Sequence, residues 1–331
     1  MINVAILQGS GYTGLALVEL LLRHPQVRLR ALTSRSQAGL ALGVVEPRLA
    51  GRNAPPFIAP DALDHKSLDC VFVCAEHGHA AQMVAALLAQ GFAGSVIDLS
   101  SDFRLRDANA YPRWYDRAHE QPQLLDRFIY GLADVLPASE RSGFVANPGC
   151  FATAITLALL PLARAGLLTH AAVTAITGAT GSGVKPAAAT HYPLRDGNLR
   201  AYKVHTHQHQ GEILQSLGVP LGLDFVPVSG PFSRGIWGTA SLRLSRSLGE
   251  AECADLFRGF YADRALVRLH PKRLPELRDA VHTPFADIGW IGGGEQLLLG
   301  FALDNLLKGA ASQALQNFNR VFGLDDTMGL L

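Results

Sequence analysis

Long apolar runs, an excess of charge of one sign and a usable set of cysteines are all missing from this sequence, and each absence closes off a class of protein. No apolar run approaches the ~20 residues that a membrane-spanning helix needs, and MINVAILQGSGYTG carries no charged segment ahead of its apolar residues, so neither a span nor a leader is expected. Lys and Arg total 29 against 28 Asp and Glu, a formal net charge of +1 that offers no footprint for nucleic acid. The four cysteines, Cys70, Cys74, Cys150 and Cys253, fit neither a disulfide framework nor a zinc ribbon. Cys70 and Cys74 sit in the apolar run CVFVCA, which reads as a buried strand, and both are expected to be structural. A soluble cytoplasmic protein is the expectation.

What is present is the profile of a globular enzyme, with 48% hydrophobic and 17% charged residues. At 331 residues the chain is long enough for two domains.

The first half alternates strand and helix. INVAILQ (2–8) is a short apolar strand, followed by Gly9-Ser10-Gly11-Tyr12-Thr13-Gly14 and the helical pattern LALVELLLRHP. Strand, glycine turn and helix in that order suit a dinucleotide: the glycines allow a tight turn and close backbone approach, and a pyrophosphate sits on the helix N-terminus. The second strand, VRLRALTS, ends at Ser34-Arg35-Ser36, with no acid for the ribose hydroxyls. Arg35 flanked by serines suits a 2′-phosphate, which selects NADP(H) over NAD. LDCVFVCA (68–75), HAAQMVAALLAQG (79–91) and SVIDLSS (95–101) continue the alternation and predict a Rossmann-type, doubly wound parallel sheet. Cofactor then lies across the carboxyl ends of its strands, where Ser100-Ser101-Asp102-Phe103-Arg104 also emerges.

The second half holds the candidate chemistry. Within FVANPGCFATAITLALLPL, Cys150 follows a Pro-Gly turn and opens an apolar helix, a place where amide groups and the helix dipole favour thiolate, the nucleophilic form. Tyr202-Lys203-Val204-His205-Thr206-His207-Gln208-His209 sets three histidines at alternating positions ahead of the helical GEILQSL. They are read as supplying an acid/base for Cys150 in preference to a metal site, since no Cys, Asp or Glu stands at usual zinc spacing. AVTAITGATGSG (172–183) is a strand ending in a glycine loop that presents N–H groups, with Lys185 after it. FVPVSG, GIWGTASLRL and EQLLLGFALD read as strands and GEAECADLFRGFYA (249–262) as a helix, predicting an α+β domain on a mixed sheet. A last helix is expected from Asp304 to about residue 322. The expected domains are 1–148 with 305–331 for NADP, and 149–304 for catalysis, substrate and oligomerisation.

GSGYTG (9–14), LSSDFRL (99–105), NPGC (147–150), HQHQGEI (207–213), SRGI (233–236) and DNLLKGAASQALQN (304–317), in that order, resemble N-acetyl-gamma-glutamyl-phosphate reductases, relatives of the aspartate-semialdehyde dehydrogenases. The resemblance implies NADPH-dependent reduction of an acyl phosphate to an aldehyde. It makes Cys150 the acyl-accepting nucleophile and His207 the general acid/base. Arg104, Tyr202, His209 and Arg234 would bind or support substrate. Gly9, Ser10, Gly11, Tyr12, Thr13 and Gly14 would form the pyrophosphate loop, with Ser34 and Arg35 at the adenosine phosphate. Gly181 and Ser182 would form a second cofactor loop, and Asn305 and Lys308 would start the cofactor-side helix. The resemblance also implies a homodimer or homotetramer.

The chain departs from the family pattern in four places. Gly131-Leu132-Ala133-Asp134 stands for Gly-Leu-Pro-Glu, Val184 stands where arginine is frequent, and His207-Gln208-His209-Gln210-Gly211-Glu212 stands for His-Arg-His-Thr-Pro-Glu. THYPLRDGNLRAYK (190–203) is closer to the lysine-pathway branch, whose substrate rides on a small acidic amino-group carrier protein; Arg195, Arg200 and Lys203 would meet such a carrier. The open alternatives are therefore an acyl phosphate on a carrier, and, more distantly, a non-catalytic NADP-binding sensor.

Overall fold

The computed structural model describes residues 1–135 and 142–331. They form two compact units, Met1–Pro148 with Ala310–Leu331, and Gly149–Gly309.

The first unit is built on seven strands: β1 (Ile2–Leu7), β2 (Val27–Thr33), β3 (Phe57–Ile58), β4 (Cys70–Val73), β5 (Ser95–Asp98), β6 (Ile129–Tyr130) and β7 (Phe144–Ala146). Their order is β3-β2-β1-β4-β5-β7-β6, and every pairing is parallel. A parallel sheet with both faces covered needs apolar side chains on both faces, and Val4–Ile6 and Cys70–Val73 are fully buried. The order reverses between β1 and β4, so the crevice at their carboxyl ends is where a dinucleotide binds in such sheets. The helix Ala80–Ala89 ends near Gly91, whose φ of 89° is the left-handed stop expected of glycine there. The chain's final helix, Ser312–Val321, packs on this unit: Phe318 meets Phe72 at 5.7 Å and His24 bonds Asn319 at 2.9 Å.

The second unit holds β8 (Leu168–Thr177), β9 (Arg200–Ala201), β10 (Gly222–Ser229), β11 (Ile236–Leu248), β12 (Val267–Pro271) and β13 (Ala286–Leu303). The order is β12-β13-β11-β8-β10-β9, with β8 parallel to β10 and β12 parallel to β13, and antiparallel pairs elsewhere, so the sheet is mixed as expected. Under it runs the helix Cys150–Arg164, whose residues 151–163 are all buried. A helix apolar on every side belongs inside.

That helix carries Pro161 in its interior. Proline has no N–H, so the carbonyl of Leu157, four residues earlier, loses its helical donor. The Tyr261 hydroxyl donates to that carbonyl at 2.5 Å instead. Tyr261→Phe is expected to lower unfolding stability by about 1–3 kcal/mol, the cost of stranding a buried acceptor, with kcat unchanged. A denaturant midpoint equal to the parent's would show that the carbonyl does not need the hydroxyl.

Candidate active site

In the first unit the predicted cofactor residues gather at the carboxyl end of β1. Gln8 takes a left-handed φ of 57° and donates its N–H to the Thr33 hydroxyl, while Gly9 donates to the Thr33 carbonyl, which binds the loop to the end of β2. A Cβ on Gly14 would lie 2.4 Å from the Gly9 carbonyl oxygen, so that glycine is fixed by close packing within the turn. Gly11 is different: nothing stands within 4 Å of where its Cβ would be, and its φ of −83° is open to any residue. Glycine there leaves room beside the helix Tyr12–Leu21, whose first turn has no side-chain cap. Open space before uncapped amides fits a pyrophosphate. Ser10 and Ser34 share a hydrogen bond of 2.8 Å, and Ser34 is buried; Arg35 beside it is exposed, as a 2′-phosphate partner must be.

Arg104, read from the resemblance as a substrate contact, lies in the first unit among main-chain carbonyls. It is 5% exposed and donates to the carbonyls of Asn147 (2.9 Å) and Leu99 (3.0 Å), which makes it a brace for main chain in the first unit. Asp102 of the same motif accepts from the N–H groups of Gly78 and Ala81 at the start of the helix Ala80–Ala89, and from Arg117 at 2.6 Å. The arginine and these donated bonds outweigh the cost of burial and hold its carboxyl below the usual range, although burial is the largest single influence.

In the second unit Cys150 is the first residue of the buried helix and is partly accessible, while Cys70 and Cys253 are buried. Burial pushes the thiols of Cys74 and Cys253 up to about 12 and about 11, and Cys70 further. Gly149 caps the helix and donates its N–H to Glu212 at 2.8 Å. A Cβ on Gly149 would lie 2.3 Å from the His209 ring, so the glycine of NPGC makes room for that imidazole. Glu212 is fully buried and lies 3.8 Å from His209 Nε2. Reading the sequence missed Glu212, a carboxylate three residues after His209 on the inward face of the same helix.

The three alternating histidines part company. His205 is exposed, at a left-handed φ of 59°, and lies 3.8 Å from Asp224. His207 and His209 are 4% and 7% exposed, with ring centroids 4.6 Å apart. Among the described residues no group of three or more His, Cys, Asp or Glu is arranged to hold a metal ion. His207 packs edge-on against Phe151 and Phe225, with Tyr202 at 5.7 Å. Burial pushes its imidazole down to about 2. The Tyr202 hydroxyl is pushed up, first by burial and then by nearby Cys150.

Three further motifs meet in the same unit. Thr180 of the glycine loop bonds the Ser233 carbonyl at 2.8 Å and receives Asn305 Nδ2 at 3.0 Å; Asn305 Oδ1 accepts from Gly235 N–H at 2.6 Å. Arg234 Nε donates to Asp304 at 2.6 Å. Gly181 and Ser182 are exposed, Asn305 is 3% exposed and Lys308 is fully buried. The helix expected from Asp304 begins instead with a π-helical turn, Leu307–Ala311, because the Asp304 carboxylate takes the N–H groups of Leu306 and Leu307 and its carbonyl takes Gly309 N–H. A Cβ on Gly309 would lie 2.7 Å from Cys150 Cβ. This glycine too was not singled out from sequence.

Residues 3–141 match the semialdehyde dehydrogenase NAD-binding domain, and residues 150–305 match the semialdehyde dehydrogenase dimerisation domain. The chain is 40% identical to the N-acetyl-gamma-glutamyl-phosphate reductase of Halorhodospira halophila, over 100% of this chain and 98% of that one. The chain belongs to the N-acetyl-gamma-glutamyl-phosphate reductase family. It is also 39% identical to the putative [LysW]-L-2-aminoadipate 6-phosphate reductase of Thermomicrobium roseum, over 100% of this chain and 97% of that one. Its fold is that of aspartate semialdehyde dehydrogenase II of Vibrio cholerae, with a TM-score of 0.74 at 17% identity over 98% of each chain. As a member of this reductase family the protein is an oxidoreductase of the semialdehyde dehydrogenase type. Among the described residues no helix is long and apolar enough to cross a membrane.

Proposed function

We propose that the protein reduces N-acetyl-gamma-glutamyl phosphate to N-acetylglutamate semialdehyde and phosphate through a thioester on Cys150. The observation that carries this reading is the placement of Cys150, a partly buried cysteine on the first turn of a buried helix, in a chain 36–40% identical to named reductases of this substrate. The loop Gly9–Gly14 with Ser34 and Arg35 would hold the dinucleotide, which when bound supplies the hydride that reduces the thioester carbonyl. Gly181, Ser182, Asn305 and Lys308 would complete the cofactor side of the second unit. Cys150 Sγ attacks the acyl carbon, the C–O bond to phosphate breaks, and the reduced thiohemiacetal collapses to aldehyde and thiolate. Tyr202, His209 and Arg234 would orient the acyl chain, and Asp304 fixes the Arg234 guanidinium through Nε. A dimer is supported by the matched dimerisation domain; light scattering would measure it.

The test is the reverse reaction, NADP reduction with N-acetylglutamate semialdehyde, run with and without inorganic phosphate. Phosphate-dependent turnover supports the reading; its absence in a protein that binds NADP removes it. Arg35→Ala is expected to raise KM for NADPH roughly tenfold, ~1.4 kcal/mol, with little change in kcat. Equal use of NADH by the parent would undo the 2′-phosphate assignment.

The Thermomicrobium roseum relative favours a second reading, in which the acyl phosphate is carried on an acidic protein. Arg200 and Lys203 are exposed and suit that partner, whereas Arg195 is 9% exposed and donates to Ser229 at 2.6 Å, which takes it out of the interface. Comparing carrier-bound aminoadipyl and glutamyl phosphates with the free substrate separates the two.

A further inference from the structure

A guanidinium presents Nε–H and one Nη2–H side by side on one edge of its plane, a fork that fits the two oxygens of a carboxylate. The second unit shows such an edge in use: Arg268 donates Nε to one oxygen of Asp287 and Nη2 to the other, each at 2.6 Å. The same edge of Arg195 has no carboxylate. This side chain comes from the short helix Tyr192–Arg195 and is 9% exposed. Nη1 donates to the Ser229 hydroxyl at the end of β10 at 2.6 Å, and Nη2 makes a long bond of 3.4 Å to the Thr177 carbonyl at the end of β8. The buried Nε has no partner among the described residues.

The charge of Arg195 is uncompensated as well. Burial is the first influence against it, and the titratable or charged groups that act on it are Tyr202 and Arg200. Arg200 repels it, while the Tyr202 hydroxyl, pushed up by burial, stays neutral and supplies no counter-charge. A buried cation is costly until an anion meets it. Beside it Thr177, 6% exposed, holds a buried hydroxyl that also lacks a partner among the described residues. Folded proteins rarely leave such groups unmatched, and here a donor edge and a hydroxyl are left so together.

Both residues lie in the neighbourhood of the nucleophile, within the second unit. Cys150 and Arg195 both act on the Tyr202 hydroxyl. A Cβ on Gly181 would lie 3.4 Å from the Thr177 hydroxyl, and one on Gly178 would lie 2.4 Å from the Arg234 nitrogen, which sets Thr177 between the glycine loop and Arg234.

We propose that Arg195 anchors the substrate, its Nε–Nη2 edge taking both oxygens of a carboxylate on the acyl chain while the Thr177 hydroxyl donates to one of them. This rests on the Cys150 thioester reading, whose substrate carries one carboxylate besides its acyl phosphate. That carboxylate is unchanged from substrate to product, so the contact acts on binding and not on the rate of the bound complex.

The test is the reverse reaction of Arg195→Gln and Thr177→Val, with KM taken separately for N-acetylglutamate semialdehyde, phosphate and NADP. Calorimetry of N-acetyl-L-glutamate, which carries the same carboxylate and does not turn over, runs beside it. Arg195→Gln is expected to raise KM for the semialdehyde roughly 10–10²-fold, the worth of a hydrogen bond to a charged group. Its kcat and the other two KM values should stay near the parent's, and N-acetyl-L-glutamate should bind more weakly by the same factor. Thr177→Val keeps the shape of the side chain and should raise the semialdehyde KM roughly three- to tenfold. An unchanged semialdehyde KM in Arg195→Gln, with or without a lowered unfolding midpoint, overturns the proposal and leaves Arg195 a structural residue. An increase confined to phosphate also overturns it and gives the fork to the leaving group. Should Arg195→Gln not fold, Thr177→Val decides, and an unchanged KM there overturns the anchor. A parent without phosphate-dependent turnover removes the Cys150 reading, whereas the anchor then stands or falls on whether the parent binds N-acetyl-L-glutamate more tightly than the variants do.

Discussion

Cys150→Ser is expected to lose at least ~10⁴-fold of phosphate-dependent turnover while it binds NADPH as the parent does. A serine hydroxyl is a far weaker nucleophile than a thiolate, and the helix start that favours thiolate on Cys150 cannot bring an alcohol into its anionic form near neutral pH. No other cysteine can substitute. Cys70 and Cys253 are buried, and burial pushes the thiols of Cys74 and Cys253 up to about 12 and about 11. Selective alkylation follows from the same contrast: iodoacetamide near pH 7 should label Cys150 first, with labelling and loss of activity proceeding at one rate. The loop Gly9–Gly14, proposed to hold the dinucleotide, belongs to the first unit, so a fluorescence titration with NADPH should give the parent's Kd. A serine variant retaining a tenth or more of parental kcat would sink the thioester, whatever else the protein binds.

The nucleotide-binding sheet was open to sequence reading because its information is local. β1, β2, β4 and β5 are apolar runs, and the helices Tyr12–Leu21 and Ala80–Ala89 stand between them, the second running into Gly91; the two-residue strands β3 and β6 carry no such local signal. The second unit shows where local reading stops. β13 spans Ala286–Leu303, yet only its second half, EQLLLGFALD, looked like a strand. Gly292 and Gly294 interrupt the apolar pattern with φ of 90° and 80°; before them the strand pairs with β12 and after them with β11, so two neighbours on either side of a bend share one strand. The helix expected from Asp304 missed its π-helical turn for a related reason: the carboxylate of Asp304, its carbonyl and the close approach of Gly309 to Cys150 are tertiary facts with no period in the sequence. Cys150 was legible because a thiol at a helix start has a chemistry of its own. Glu212 was not, since a glutamate in a polar helix reads as solvated until Gly149 N–H is seen donating to it. The alternating histidines looked equivalent and are not, because β10 supplies Phe225 against His207 and Asp224 near His205.

Gly309→Ala should set a methyl group directly against the nucleophile's own residue. Its Cβ would lie 2.7 Å from Cys150 Cβ, 3.2 Å from Cys150 Cα and 3.3 Å from the Asp304 carbonyl oxygen. A contact under 3.0 Å forces a shift, and the atom met is the Cβ of Cys150 on the first turn of a buried helix, not the far end of a flexible side chain. Gly309 is also the residue whose N–H closes the π-helical turn on Asp304, so it cannot retreat without giving up that bond. The movable party is Cys150, displaced by a few tenths of an ångström or more. Overpacking of this kind costs about 1–3 kcal/mol of stability, and misplacing a reacting group by ~1 Å costs about 10²-fold in rate. The expected result is kcat down by roughly 10²-fold with KM for NADPH near the parent's, together with an altered rate of Cys150 alkylation, which a loss of stability alone would not produce in the folded protein. Gly259→Ala is the control. It adds the same methyl to a helix glycine with nothing within 4 Å, and should leave kcat unchanged while adding about 0.5–1 kcal/mol of stability. If Gly309→Ala instead keeps kcat within twofold, the segment after β13 does not set the position of the nucleophile, and the glycine answers only to the geometry of its own turn.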